Sequence, residues 1–348
     1  MDATSDTSPS TSGLRDADGD EPGPSAARRA LLVSLAGLAV VLAAVAVAYR
    51  RALDADFQFD DLLGVLGNAQ LEDLGRFVRA AFLPELLHGG RAVADLTFSV
   101  DHALAGWDPQ QFHATSVSVH LATVIAIYAL TRAVLREAAV RVDARWPLAV
   151  AAIWGIHPLH TEAVTYVCQR AEVLSALFAT LSLLLLLASE RRVTAIAGAL
   201  TYVASFAVFV LGVGAKANAA VVPLLYLLHA ACFPRGAPRA WRAVALRAAP
   251  FVAVLVAGAV TLLSSFAHHT DVGFEIPGVT VGRYALTQLR VVLRYLGLLF
   301  WPARQNVDWH VRLSAGLDAG TGVAALVLLA LSAGAAWLLV HARRVAPE

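Results

Sequence analysis

Long uninterrupted apolar runs constrain this chain more than any other feature. They lie at about 30–49, 113–131, 147–166, 171–189, 194–213, 218–233, 248–267 and 320–341. A bilayer core takes roughly 20 apolar residues as a helix, so each run reads as a span. Membrane β-barrels need short alternating strands, and these runs exclude them. A further apolar stretch at 283–301 carries Arg283, Gln288, Arg290 and Arg294. It either lies along the interface or crosses as a ninth span. Hydrophobic residues make up 58% of the chain and charged residues 15%, against about half and a quarter in soluble domains. That balance excludes a soluble or a disordered protein. The expected fold class is all-α: a polytopic helical membrane protein with about eight or nine spans and a large first outer loop over about 50–112. The lipid bilayer is therefore a partner. The net charge of +1 carries no basic bias toward nucleic acid. Two cysteines, Cys168 and Cys232, make no disulfide framework and no paired-cysteine metal motif.

Residues 1–29 are rich in Ser, Asp, Gly and Pro and read as a disordered cytoplasmic tail. Arg28 and Arg29 precede the first run, a weak twin-arginine pattern. The polar lead favours an uncleaved anchor over a signal peptide cut near Ala48. The membrane domain then extends over 30–342, with 343–348 as a C-terminal tail. Arginines cluster at Arg132, Arg136, Arg141 and Arg145, at Arg191 and Arg192, and at Arg235, Arg239, Arg242 and Arg247. The positive-inside rule puts these on the cytoplasmic side of an inner, or plasma, membrane. The N-terminus is then cytoplasmic, and the loops 50–112, 166–171, 214–217 and 268–282 face outward. Arg343 and Arg344 put the C-terminus inside as well, which requires that 283–301 does not cross.

Polar residues at or within spans are expensive, so their positions are informative. The first outer loop opens with Phe57-Gln58-Phe59-Asp60-Asp61. Adjacent carboxylates repel, which raises one pKa and suits a general base. Asp61 could equally cap a helix starting at Leu62. The run Trp154–Glu162 holds His157, His160 and Glu162, with Gln169 and Arg170 following. A helix over 159–170 would put Glu162, Tyr166, Gln169 and Arg170 on one face. Pro158 bends the span there. A metal on His157 and His160 finds no third ligand by spacing, so neither metal nor other cofactor is expected. Lys216, the single lysine, lies between two spans, either as a phosphate-binding cation or as a snorkelling side chain. Arg283, Arg290 and Arg294 fall near one helical face and suit an anionic headgroup or phosphate, or else an interfacial helix. His113 and His120 share a face of the second run. These parts converge on a cavity in the outer leaflet, with carboxylates at its mouth and cations beneath. A lipid-linked phosphate substrate fits that arrangement.

Several of these residues resemble a family in their order along the chain. Asp60-Asp61 with Asn68, Arg91, Phe112-His113, His120 and the run HPLHTEAVTYVCQRAEVLSALF at 157–178 look like bacterial relatives of the transmembrane and tetratricopeptide repeat-containing O-mannosyltransferases. Lys216-Ala217-Asn218 with Pro223-Leu224 is similar to that family's K-E-N…P-L segment. Thr287-Gln288 through Arg294-Tyr295, Trp301-Pro302 and Asn306-Val307-Asp308 match a later stretch. The resemblance covers about residues 55–312. It implies a GT-C-like membrane core and inverting transfer of a sugar from a polyprenyl-phosphate donor to a hydroxyl of a protein or glycan acceptor at the outer face. It departs at Ala217, where the family has Glu. No 34-residue repeat is found either, so a separate repeat-containing partner is expected to capture the acceptor.

The resemblance gives each residue a role. Asp60 or Asp61 is the base, with Asp61 slightly preferred. Arg170, with Arg290, Arg294 and Lys216, holds the phosphate. His157, His160, Glu162 and Gln169 shape the sugar and acceptor pocket, and Arg91 and Gln288 join the substrate-binding set. Two other classes stay open: a polyprenyl-lipid binder or transporter without chemistry, and a degenerate partner subunit.

Overall fold

The structure, a computed structural model, describes residues 24–87, 91–137, 145–233, 241–266, 279–306, 309 and 311–345. Outside these fall residues 1–23 of the expected tail, Arg141, Arg235 and Arg239 of the basic clusters, loop residues 268–278, and Val307 and Asp308. Among the described residues there are helices and turns and no strands, so the protein is an all-α polytopic membrane protein. The α-helices are α1 (Pro24–Tyr49), α2 (Asp61–Gly64), α3 (Leu74–Arg76), α4 (Phe82–Leu87), α5 (Ala92–Ala105), α6 (Pro109–Glu137), α7 (Arg145–Gly155), α8 (His160–Thr165), α9 (Arg170–Ser189), α10 (Ala195–Ala215), α11 (Val222–Cys232), α12 (Trp241–Phe266), α13 (Val281–Phe300) and α14 (Ala319–Val345).

Six of these are long and apolar enough to cross a bilayer, within Arg28–Asp54, Pro109–Glu137, Val167–Ser189, Ala195–Ala215, Trp241–Thr261 and Ala319–His341. The expectation of eight full-length spans is corrected in two places, and the ninth stretch keeps its own character. The run at 147–166 is broken. His157 precedes Pro158, which disfavours helical backbone at the residue before it, so α7 ends at Gly155 and α8 starts at His160. The eleven residues of α7 rise about 16 Å, roughly half a bilayer core. The run at 218–233 becomes a 3-10 turn over Ala217–Val221 followed by the short α11. The run at 283–301 is one helix of 20 residues, α13, whose arginines exclude it from the six. α1 begins at Pro24, within the last residues of the expected tail.

Local chemistry sets the helix ends. Thr194 and Thr280 cap α10 and α13 by accepting the N–H of Ala197 and Arg283. Gly106 ends α5 at φ 63°, backbone that only glycine adopts freely, and its N–H returns to the His102 carbonyl at 2.8 Å.

The two ends of the bundle are chemically distinct. At one end the first outer loop packs on the bundle through Val65, Leu71, Phe77, Val93, Phe98, Phe112, Leu174 and Ala215. Residues from 50–112, 166–171 and 214–217 meet here, as the alternation of spans required. Leu86 of α4 sits over Gly214, where a Cβ would lie 2.2 Å from Leu86 Cδ1. At the opposite end Glu137 pairs with Arg191 and with His229 Nε2 at 2.9 Å, and Arg247 reaches Ser189 Oγ at 2.5 Å. In the middle, α1, α6, α7, α8 and α9 share a core of Val45, Tyr49, Val117, Val124, Ala151, Val164 and Val173. Gly155 lets α7 end directly against this core: a Cβ there would meet Val45 Cγ2 at 2.8 Å and Val124 Cγ2 at 2.9 Å.

Candidate functional site

The break at Pro158 opens the bundle. A cavity of about 380 Å³ lies between α6, the end of α7, α8 and α9. One wall is aromatic. Trp154 lies 4.2 Å from His160 and 5.2 Å from His120 between ring centroids. His120 is fixed by the Gly155 carbonyl, 2.9 Å from Nε2, and by the edge of Tyr49. The facing wall is polar, with Glu162, Gln169 and Glu172. Lys216 closes that wall: its Nζ lies 2.6 Å from Glu172 Oε1 and donates to Gln169 Oε1 at 3.2 Å. Asn218 Nδ2 donates to Glu172 Oε2 at 2.5 Å, and Ser175 Oγ donates to the Lys216 carbonyl at 3.1 Å. The backbone of Lys216 is extended between α10 and the following turn, and this break aims the ammonium inward.

Two further cavities adjoin. One of about 350 Å³ shares Trp154, Glu172 and Ala176 with the first and is otherwise mainly apolar, with Ile127, Leu130, Leu183, Val221 and Leu225. The other, about 380 Å³, shares Glu162 and is walled by Gln58, Phe59, Thr161, Tyr166 and Asn306. The acidic pair stands beside it.

The two aspartates have different environments. Asp61 is 1% exposed. It accepts the N–H groups of Gln58 at 3.1 Å and Cys168 at 2.6 Å, which tie the loop to the turn after α8. Burial raises its pKa above the usual carboxylate range, and those backbone N–H groups pull it back. Asp60 is exposed, next to Phe59, which lines the second of these cavities. Its backbone N–H donates to the Tyr166 hydroxyl at 2.7 Å. The residue before it, Phe59, has φ 48°, a strained setting for an aromatic residue. The edge contact of Phe59 with Tyr166, at 6.2 Å, helps to hold it.

The structure brings only some of the other expected residues to this place. His160, Glu162 and Gln169 line the first cavity, and Lys216 abuts it. His157 turns away, with Nε2 3.1 Å from the Leu299 carbonyl of α13. Arg91 is exposed and donates to Cys168 Sγ at 3.4 Å, the same residue whose N–H donates to Asp61. Arg290 and Arg294 line a separate cavity of about 370 Å³. Arg290 lies 3.7 Å from Asp318, and Arg294 covers the Trp309 ring at 3.3 Å. Gln288 is half-buried on α13.

Arg170 is corrected outright. The continuous helix over 159–170 does not form, because Tyr166 is extended and a 3-10 turn follows. Arg170 is therefore separated from the face of Glu162 and is completely buried. Its Nη1 lies 2.6 Å from Asp101 Oδ2. Nε donates to Ser116 Oγ at 3.0 Å, and Nη2 to the Phe112 carbonyl at 2.6 Å. The Phe98 ring lies 4.6 Å from its guanidinium carbon. Its donors are taken up by Asp101, Ser116, Thr97 and the Phe112 carbonyl, so it clamps α5 to α6 and lines none of the cavities described above.

The residues that sequence reasoning missed are Glu172 and Trp154 as cavity walls, and Asn218. Glu172 lies two residues beyond Arg170 in the same run. It supplies the carboxylate beside Lys216 that the alanine at 217 lacks.

A second acidic pair lies in the outer loop. Asp95 is pushed up to about 7, by burial first and then by the neighbouring Glu85, while Arg91 opposes the shift. The folded state thus holds this proton more tightly than the unfolded chain. Stability is greatest below the ordinary carboxylate range near pH ~4 and falls as pH climbs through about 7. The thermal midpoint of purified protein is expected to drop between pH 5 and 8, and Asp95→Asn to flatten that drop. An unchanged slope in the variant would refute the assignment.

No family model matches the chain, and no solved structure matches it. Curated relatives do. Protein O-mannosyl-transferase TMTC1 of Mus musculus is 28% identical over 182 residues, 49% of this chain and 18% of that protein. TMTC2 of Homo sapiens is 30% identical over 145 residues, 39% of this chain and 17% of that protein. TMTC3 of Homo sapiens is 27% identical over 155 residues, 42% of this chain and 16% of that protein. The chain spans less than a fifth of the length of these relatives. Over these stretches the chain is similar to the protein O-mannosyl-transferases, and its all-helical membrane fold and ordered motifs are consistent with that likeness.

Proposed function

We propose that this protein is an inverting membrane glycosyltransferase of the GT-C kind, moving a sugar from a polyprenyl-phosphate donor to a hydroxyl of a protein or glycan acceptor. The observation that carries this reading is that three neighbouring cavities share lining residues. A mainly apolar cavity between helices shares Trp154 and Glu172 with a cavity that has an aromatic wall and acid and amide groups. That cavity shares Glu162 with the space lined by Phe59, the residue before Asp60. The first suits an isoprenoid tail. The second suits a sugar, whose C–H faces lie on Trp154 while its hydroxyls reach Glu162 and Gln169. The third admits the acceptor, alone or held by a repeat-bearing partner. The relatives' printed activity, O-mannosyl transfer, points to mannose as the first sugar to test.

The step balances with these groups alone. Asp60 takes the acceptor hydroxyl's proton, and the oxygen forms its bond to the anomeric carbon from the side opposite the phosphate. The bond from that carbon to the phosphate oxygen breaks, and its electron pair stays on the phosphate. Lys216 stabilises the charge that develops there, as a fixed donor does in a dry site. Asp61 holds the loop that presents Asp60. The site faces outward, with the N-terminus cytoplasmic, on the distribution of arginines.

The test is transfer of label from a polyprenyl-phosphate mannose to a Ser/Thr peptide by the protein in vesicles. Wild type is expected to transfer, and Trp154→Ala to raise KM about tenfold, the loss of one aromatic contact of 1–1.5 kcal/mol. Donor bound without transfer, over a panel of sugars and acceptors, would leave the carrier reading and reject the enzyme.

A further inference from the structure

The proposed donor site has an unusual charge balance. Its single lysine pairs with Glu172, Glu162 lines the same polar cavity, and among the described residues no arginine lines either the polar or the apolar cavity. The Lys216–Glu172 pair is accessible, with side chains 25% and 34% exposed, so an incoming anion can reach it. Glu172 also stands where the two cavities meet, at the level a phosphate would occupy with its lipid on one side and its sugar on the other.

We propose that Glu172 sets the charge the site accepts: it occupies Lys216 in the empty protein, yields the ammonium to a donor with one phosphate, and rejects a donor with two. This rests on the functional reading above and deepens it. A sugar phosphodiester carries one negative charge and takes Glu172's place at Lys216 Nζ one for one. Glu172 keeps a partner meanwhile, because Asn218 Nδ2 still donates to its other oxygen. A diphosphate-linked sugar brings a second charged phosphate. The polar cavity offers that phosphate Glu172 and Glu162 and, among its lining residues, no lysine or arginine; Arg51 lines the neighbouring space on the far side of Glu162. Like charges desolvated at such range repel strongly, and this repulsion gives selectivity without any added attraction. Gln169 shares Lys216 but is neutral, so it does not contribute to the discrimination.

The experiment is equilibrium binding of two matched probes, a short-chain prenyl phosphoryl mannose and the corresponding prenyl diphosphoryl mannose, to the purified full chain. Wild type is expected to prefer the single-phosphate probe by at least about tenfold, a difference of 1.4 kcal/mol. Glu172→Gln is expected to bring the ratio to about one by tightening the diphosphate probe. Lys216→Gln is expected to weaken both probes. Ala217→Glu, at an exposed position beside the lysine, is expected to widen the ratio, and it serves as the independent variant should Glu172→Gln fold poorly. Both probes bound with a ratio unmoved by Glu172→Gln and by Ala217→Glu would overturn this inference and leave the donor site standing. Neither probe bound by folded wild type would overturn the donor site itself, and this inference with it.

Discussion

Asp60→Asn is expected to lower transfer by at least about a hundredfold, the usual range for a lost general base, with the thermal midpoint unchanged. Its side chain is exposed, and its backbone N–H donates to the Tyr166 hydroxyl, a bond that the amide variant keeps. Asp61→Asn is expected to behave in the opposite way. An amide in place of that carboxylate turns one NH₂ toward the N–H of Gln58 or Cys168, where an acceptor is needed. A buried donor without a partner costs about 1–3 kcal/mol. The variant should accumulate less and melt earlier, yet keep much of its rate per folded molecule. Initial rates and melting curves at matched protein levels separate the two. Wild-type rates in Asp60→Asn would sink the assignment of the base, and the reverse pattern would return it to Asp61.

Arg170→Met is expected to prevent stable folding, and not to weaken donor binding selectively. It leaves Asp101 charged and 1% exposed, although Thr115 Oγ1 still donates to Asp101 Oδ1 at 2.6 Å. Breaking one side of a buried pair costs about 3–5 kcal/mol, a large share of a protein's net stability. Arg170→Lys should recover little, because an ammonium cannot reach Ser116, Thr97, Phe112 and Asp101 together from one planar fork. The double change Arg170→Met with Asp101→Leu should recover more than either single change, since it removes both charges. Size-exclusion profiles of detergent-solubilised protein report the outcome. Normal folding of Arg170→Met with loss of donor binding would restore the phosphate role that the sequence suggested.

The sequence marked this neighbourhood, but not how the work divides within it. Expensive polar residues at the outer ends of the spans were legible one by one, because each must be compensated in an apolar setting. Which of them face a cavity was not. Arg170 and Glu172 are two positions apart in one apolar run. One is sealed in a clamp and the other lines two cavities, and the helical turn that separates them depends on the break after Tyr166. In the same way, Arg290 and Arg294 carry the right charge but line a cavity of their own on α13.

The sequence by itself determined the solvent and the class. Apolar runs of bilayer length leave the backbone no stable choice but helix, because lipid offers no partner for a free N–H or carbonyl. It also marked the bend at Pro158, although not that the helix would end at Gly155 and restart at His160. Only the tertiary structure decided that Asp61 is buried and holds the turn after α8 while Asp60 is exposed, that Glu172 meets Lys216, and that three cavities share Trp154, Glu172 and Glu162. Those outcomes depend on side chains from segments far apart in the chain, Glu172 and Lys216 or Asp61 and Cys168, arriving within hydrogen-bond distance. Packing fixes such meetings, and no local pattern of residue types encodes them.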